Sequence, residues 1–322
     1  MIYPTHTSGL FDTDLSLCNV CPRNCNVNRN LGQNGYCKSG SSSGVVSVCI
    51  HKGEEPCFSG DAGLCNVFFG RCNLQCVYCQ NIQISKPDYK AEIAELNYDE
   101  VVRRICDCLD QGCHALGFVS PSHQVPQMKR IIGMLNQMGR YPTIIYNSNG
   151  YDKPETLRSL EGMVDVYLPD FKYSDEELAR SFSGVSHYTQ TVLTAIGEMI
   201  RQKGRVLITD ENEIARSGIL IRHLVLPGYI ENSLGVLNLI ADNFSPRIPI
   251  SLMSQYYPMP GVAALPGLNR YLTVEEYGRV VAHMQELGMD KGYIQEMESS
   301  DYYLPDFTGL YPFESKTELK IK

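Results

Sequence analysis

RCNLQCVYCQN (71–81) places Cys72, Cys76 and Cys79 in a C-x3-C-x2-C array directly behind CNVFFG (65–70), a short apolar run with strand character. Cysteine thiolates suit iron–sulfur clusters and zinc. Structural zinc normally closes with four ligands drawn as two knuckles from separate segments. Here one loop offers three thiolates and no fourth follows nearby. Three match three corners of a cubane and leave its fourth iron open to an exogenous ligand. A zinc knuckle or a chance clustering is the plainer alternative, and the strand–loop context weighs against it.

Outward from this loop the chain keeps a rhythm. ALGFV (115–119), TIIYN (143–147), VDVYL (164–168), ILIRHLVL (219–226) and IPISLM (248–253) read as strands, with GYIQEM (292–297) a weaker one. Helical stretches lie between them. Asn97-x-x-Glu100, Ser174-x-x-Glu177 and Thr273-x-x-Glu276 have the spacing of N-terminal caps. Val102, Ile105, Cys106 and Leu109 make one apolar face; Met128, Ile131, Leu135 and Met138 make another. Val192, Ile196 and Ile200 form a third, and all three faces are expected to pack on sheet. Strand–helix alternation repeated about six times predicts parallel βαβ units, in an open doubly wound sheet or a partial barrel. Both gather chemistry at the carboxyl ends of the strands, where 71–81 falls. No GxGxxG or GxxxxGK[ST] stands there, which removes the ordinary dinucleotide and P-loop readings.

The whole chain narrows the field. Its 322 residues carry 43% hydrophobic residues, enough for a sizeable core. A net charge of −8 without a basic run argues against nucleic acid or an anionic membrane as partner. MIYPTHTSGLFDTDL (1–15) lacks the pattern of a secretory signal, and no apolar run is long enough to span a bilayer. A soluble, cytoplasmic protein is expected. Thirteen cysteines in such a chain are more often metal ligands than disulfides.

The array at 72–79 after the first strand of a βα-repeat chain resembles the signature of the radical S-adenosylmethionine (SAM) superfamily. CNVCPRNCNVNRNLGQNGYC (18–37), HKGEEP (51–56), CNLQCVYCQNIQIS (72–85) and LMSQYYP (252–258) resemble its pyruvate formate-lyase-activating-enzyme-like branch. The resemblance implies a partial (β/α)6 barrel. It also implies a [4Fe-4S] cluster on Cys72, Cys76 and Cys79 that binds SAM and cleaves it reductively, giving a 5′-deoxyadenosyl radical that abstracts hydrogen from a substrate. Tyr78 matches the aromatic position near adenine. The polar ends of the second to fourth strands supply the other expected SAM contacts: Ser120, Ser122 and His123, then Asn147 and Asn149, then Asp170 and Lys172. His223-Leu-Val-Leu-Pro227-Gly228 resembles a fifth-strand segment of the activases, and a satisfied core histidine is the other reading of His223. GFVSPSHQVPQ (117–127) stands where the activases carry a Gly-Gly-Glu-like stretch, and Gln255-Tyr256-Tyr257-Pro258 where they carry Pro-Tyr-His. An electron donor such as flavodoxin or ferredoxin is implied, and for an activase a protein substrate. An anaerobic setting is implied as well.

Upstream, Cys18-x2-Cys21-x3-Cys25-x11-Cys37 supplies four thiolates from about twenty residues, sufficient for a closed zinc site or an auxiliary iron–sulfur cluster. Cys57, Cys65, Cys106, Cys108 and Cys113 read mainly as small buried residues, and Glu54 and Glu55 as a solvated acidic pair or a barrel-mouth pair. The expected organisation is a cysteine-rich module over 1–60, a barrel over 61–300 and a C-terminal tail over 301–322. Three functions remain open: an activase, a radical SAM enzyme acting on a small molecule or peptide with the tail closing its site, and a non-catalytic metal carrier. Changing Cys21 to Ala is expected to leave the cluster at 72–79 intact, as two independent sites require.

Overall fold

The computed structural model describes residues 15–88, 94–297, 304–309 and 311–313. Most of the N-terminal stretch read for a signal, and 301–303, 310 and 314–322 of the tail, lie outside the described residues.

The strands are β1 (Val45–His51), β2 (Leu64–Phe69), β3 (Ala115–Val119), β4 (Thr143–Ser148), β5 (Val166–Pro169), β6 (Leu207–Thr209), β7 (Ala215–Ile219), β8 (Ile221–Leu224), β9 (Ile250–Met253) and β10 (Gly292–Ile294). β2, β3, β4, β5 and β7 pair in parallel in that order. β8, β9 and β10 form a second parallel group. β7 ends and β8 follows within the apolar run 219–226, separated only by Leu220, and a parallel bridge from Asp170 to Arg222 carries the pairing across from β5. All six apolar runs expected as strands are strands, and the weaker seventh, at 292–294, adds a further parallel partner. β1 joins antiparallel to β2, and the short β6 antiparallel to β7.

Successive side chains along a strand point to opposite faces. Val67, Phe69, Leu116, Phe118, Ile144 and Tyr146 face the helices in one core. Leu64, Ala115, Ile145, Val166 and Leu168 face the other way and pack with Cys57 and Phe58 of the short helix Pro56–Ser59. That helix plugs the base. Above it a single cavity of about 330 Å³ touches His51, Phe68, Asn147, Arg222, Ser251 and Tyr293, residues drawn from both ends of the strand order. One cavity can meet both ends only if the array wraps around it, and the result is the open, mostly parallel α/β barrel expected.

The expected boundary at residue 60 falls between β1 and β2, which pair Val48 with Val67 and Ile50 with Cys65. Residues 45–51 are thus part of the main sheet, and the cysteine-rich segment ends before them. Asn97 caps the helix Tyr98–Asp110 by accepting the Glu100 N–H at 2.9 Å, and Thr273 with Glu276 completes a capping box. The third cap differs by one residue. Asp175 accepts the Glu177 N–H at 2.8 Å, while the neighbouring Ser174 hydroxyl donates to the Asn232 carbonyl at 2.9 Å. Cys106 and Leu109 are only half-buried, and Met138 is exposed at its helix end.

His223 is a core residue. One ring nitrogen lies 2.7 Å from the Phe171 carbonyl and the other 2.8 Å from the Ser233 hydroxyl. Burial lowers its pKa from 6.5 to about 4, so the folded state holds it neutral. The unfolded chain binds a proton there below about pH 6.5, so this contribution to stability is complete above that pH and is lost as pH falls towards 4. The linkage amounts to about 3 kcal/mol. Melting temperatures measured from pH 7 down to 4.5 are expected to fall more steeply for the native chain than for His223→Gln.

Candidate functional site

The loop after β2 turns with two residues in the left-handed region, Arg71 at φ 67° and Gln75 at φ 56°. These turns bring three thiols together. Cys72 and Cys76 are buried and Cys79 half-buried. Each sulfur receives a donor from a different part of the chain: Cys72 from the Asn149 amide at 3.5 Å, Cys76 from the Ser183 hydroxyl at 2.9 Å, and Cys79 from the Ser85 hydroxyl at 3.3 Å. The Leu74 N–H also points at Cys72, at 3.4 Å. Burial pushes the Cys79 thiol up to about 12, with the neighbouring Cys76 and Cys72 adding to it. Burial and then Cys76 raise Cys72 likewise. Three thiols on one loop, each supplied with hydrogen-bond donors, fit a soft multi-iron group whose metal stabilises the thiolates. Among the described residues no three His, Cys, Asp or Glu side chains converge closely enough to hold a single ion. A cubane takes its cysteines at separate corners, so the donor chemistry carries the fit.

The expected SAM contacts divide. Asn147, at the end of β4, lines the barrel cavity. Asn149 donates to Cys72 and, at 2.7 Å, to the Asn73 side chain. The next residue is Gly150 at φ 78°, where a Cβ would lie 2.2 Å from the Asp170 carbonyl, so only glycine lets β4 and β5 turn side by side here. Asp170 and Lys172 form an ion pair at 2.6 Å. Burial disfavours the ammonium of Lys172, but the Asp170 carboxylate and then the Cys76 thiol outweigh it and hold it protonated. This pair is therefore close to the three-cysteine loop.

Tyr78 is buried, its hydroxyl 2.7 Å from that of Tyr173 and its ring among Tyr173, Phe182 and Tyr256. Ser120 is half-buried in the left-handed region with its N–H bonded to the Asn147 carbonyl. Ser122 and His123 do not join the cavity. The ring of His123 bonds the Gly70 carbonyl at 3.1 Å and lines a separate small cavity with Cys18, Cys21, Cys25 and Cys37. The αL turn at Ser120 sends the following 3-10 helix, Pro121–His123, to the helix side of the sheet. There the Ser122 hydroxyl is buried with no hydrogen-bond partner among the described residues, while buried Asp152, whose pKa burial raises, accepts from Tyr146 and Ser148.

Sequence reading offered Glu54 and Glu55 as a barrel-mouth pair and missed their partner, Arg222. Glu54 and Glu55 line the cavity, half-buried and largely shielded, with side chains 11% and 8% exposed. Both accept from Arg222 on β8, with Arg222 Nε donating to Glu55 at 2.9 Å, and Asn66 donates to Glu54 at 2.8 Å. Burial works against ionising Glu54, yet the Arg222 charge and hydrogen bonds from Arg222 and Asn66 keep its carboxyl below the usual range. The run HKGEEP, with a strand before it, was the available signal, but its partner lies 167 residues away. At the cavity rim the described part of the tail packs Phe307 against Phe68 at 5.1 Å and Phe313 against Phe68 and His51 at 5.9 and 4.0 Å. Cys57 and Cys65 are buried core residues, Cys65 beside Cys108. No helix among the described residues is long and apolar enough to cross a membrane.

The sequence signature described as "Radical SAM superfamily" matches residues 66–232, just over half the chain. A protein of Methanocaldococcus jannaschii described as "Uncharacterized protein MJ0674" is 28% identical over 278 residues, covering 85% of this chain and 75% of its own. Methylornithine synthase (PylB) is similar in structure, with a TM-score of 0.50 and 13% identity over 79% of this chain and 76% of that one. HydG, a maturase of the [FeFe]-hydrogenase, also gives 0.50 at 13% identity, over 71% of this chain and 51% of its own. At such identities the two structures share the fold alone.

Proposed function

Because this chain belongs to the radical SAM superfamily, we propose that Cys72, Cys76 and Cys79 hold a [4Fe-4S] cluster and that the barrel cavity holds SAM and a substrate. The observation that carries this is the set of three sulfurs on one loop, each given a donor by a different segment, beside the open end of the barrel. When bound, the reduced cluster supplies the electron that cleaves SAM and so initiates hydrogen abstraction. The chain's own groups bind, orient and exclude water. Asn149 and Ser183 hold the loop and direct dipoles at its sulfurs. The Lys172–Asp170 pair places charge near Cys76, and Asn147 offers an amide to the cavity. An electron donor of the flavodoxin or ferredoxin kind acts as partner. The test is 5′-deoxyadenosine release by the reconstituted, reduced protein with SAM. Its absence in a protein carrying the cluster overturns the reading.

Two substrate readings follow. The activase reading rests on the resemblance of the cysteine loop and of the stretches 18–37 and 51–56. Action on a small molecule or peptide is favoured by Phe307 and Phe313, which cover the cavity rim where a partner's backbone loop has to enter. Deleting residues 304–322 distinguishes them: the second reading predicts faster uncoupled SAM cleavage without substrate, the first no change.

Outer partners of metal ligands are typically worth 10- to 100-fold in affinity or activity. Ser183→Ala is accordingly expected to keep the cluster, lower its reduction potential and slow SAM cleavage by about that factor. Redox titration followed by EPR checks it.

A further inference from the structure

We propose that Cys18, Cys21, Cys25 and Cys37 hold a closed auxiliary iron–sulfur cluster, since they line one cavity without converging closely enough for a single ion, and that this site clamps the 72–79 loop, so that the two groups of cysteines work as one unit. The coupling part rests on the function proposed above; the metal site does not.

All four cysteines line one small enclosed cavity of about 10 Å³, although they come from twenty residues of irregular chain. The backbone is shaped for it. Asn24 and Asn26 take φ of 44° and 55°, and the Cys18 N–H bonds the Val27 carbonyl at 2.8 Å while the Asn26 N–H bonds Cys18 at 2.9 Å. A Cβ on Gly35 would lie 2.9 Å from the Cys25 sulfur, and the Tyr36 N–H donates to that sulfur at 3.3 Å. Close backbone approach with N–H directed at sulfur is how a short segment folds around a thiolate-bound metal.

Charge gives an independent indication. Two arginines line the same cavity. Arg29 is 2% exposed, yet its described hydrogen bonds go to the Gly40 and His123 carbonyls and the Gln124 side chain, all neutral. Arg23 donates to the carbonyls of Asn73, Ser183 and Gly184 and stacks on Tyr36 at 3.5 Å. Among the described residues neither pairs with a carboxylate. A buried cation without an anion is costly. Four thiolates around an iron–sulfur cluster carry a net negative charge, and they answer both guanidiniums.

The same residues reach the second site. Arg23 holds the Asn73 carbonyl at 2.9 Å, one residue after Cys72, and the carbonyl of Ser183, whose hydroxyl bonds Cys76. Tyr36 links the Cys25 sulfur to the Leu74 carbonyl, and its own carbonyl accepts from Gln75. Asn73 lines the four-cysteine cavity and accepts from Asn149, which also bonds Cys72. The independence expected for Cys21→Ala therefore does not follow from this geometry.

The experiment measures iron, sulfide and zinc in protein purified without oxygen. With Cys72, Cys76 and Cys79 all changed to Ala, about four irons per chain are expected to remain, and adding Cys21→Ser removes them. A triple variant that keeps the native circular dichroism but carries no stoichiometric iron, or zinc alone, overturns the site, whatever the fate of the SAM chemistry. Should that variant not fold, Cys21→Ser in the otherwise native chain is read for loss of one metal centre; an unchanged metal content overturns the site equally. Arg23→Gln keeps all seven cysteines. It is expected to leave metal content unchanged while shortening the air lifetime of the SAM-binding cluster about 10-fold and altering its SAM-dependent EPR signal. If Arg23→Gln and Cys21→Ser both leave lifetime and signal unchanged, the clamp is wrong.

Discussion

Replacing Cys76 by Ala is expected to abolish SAM cleavage and remove the cluster at 72–79. Cys76 lies between the other two ligands, and its sulfur is the one fixed by Ser183 at 2.9 Å and set beside the charge of Lys172. With one corner of a three-cysteine set gone, the remaining thiols are two groups whose pKa values burial raises. They have no metal to stabilise their ionised form. The loss therefore exceeds the 10- to 100-fold typical of an outer partner and takes cleavage below detection. Far-UV circular dichroism is expected to stay native, because the loop packs at the barrel rim and the sheet does not depend on it. Cleavage that persists in the variant contradicts the assignment.

The second large effect concerns stability. Arg222→Ala leaves the largely shielded Glu54 and Glu55 without their cation, and the loss is expected at the lower end of the range for a buried ion set, about 3 kcal/mol. Asn66 alone still donates to Glu54. In a chain of this size the melting temperature falls by several degrees. Arg222→Met combined with Glu54→Gln and Glu55→Gln is expected to recover most of that loss, because the penalty comes from unpaired charge and far less from the missing contact. If the single variant melts within a degree or two of the native chain, the acidic pair is solvated and its shielded reading is wrong.

What the sequence disclosed follows from how locally each feature is encoded. The strands lie in short apolar runs bounded by turn residues, and the cysteine loop directly behind β2 needs no partner to be read. The antiparallel pairing of β1 with β2 is different. VVSVCIHKG reads as a strand, but nothing in it names the neighbour, and the boundary drawn at residue 60 divided one sheet. β6 escaped notice because its three residues are exposed or half-exposed and carry no alternation. Asp175 displaced Ser174 as cap because Ser174 had a tertiary partner in Asn232. His123 went astray for a conformational reason: a left-handed residue at 120 redirects the chain, and no residue type there required it. Arg222 with Glu54 and Glu55, and Arg23 with Asn73, are contacts across 167 and 50 residues. Periodicity is blind to pairs of that kind.

The most direct test of the central claim is EPR of the anaerobically purified, dithionite-reduced protein with and without SAM, alongside its iron and sulfide content. A SAM-binding cluster on Cys72, Cys76 and Cys79, as proposed, predicts a [4Fe-4S] signal whose g-values shift when SAM is added, with at least about four irons per chain. Zinc alone, or a cluster signal indifferent to SAM even after reconstitution with iron and sulfide, would contradict the account.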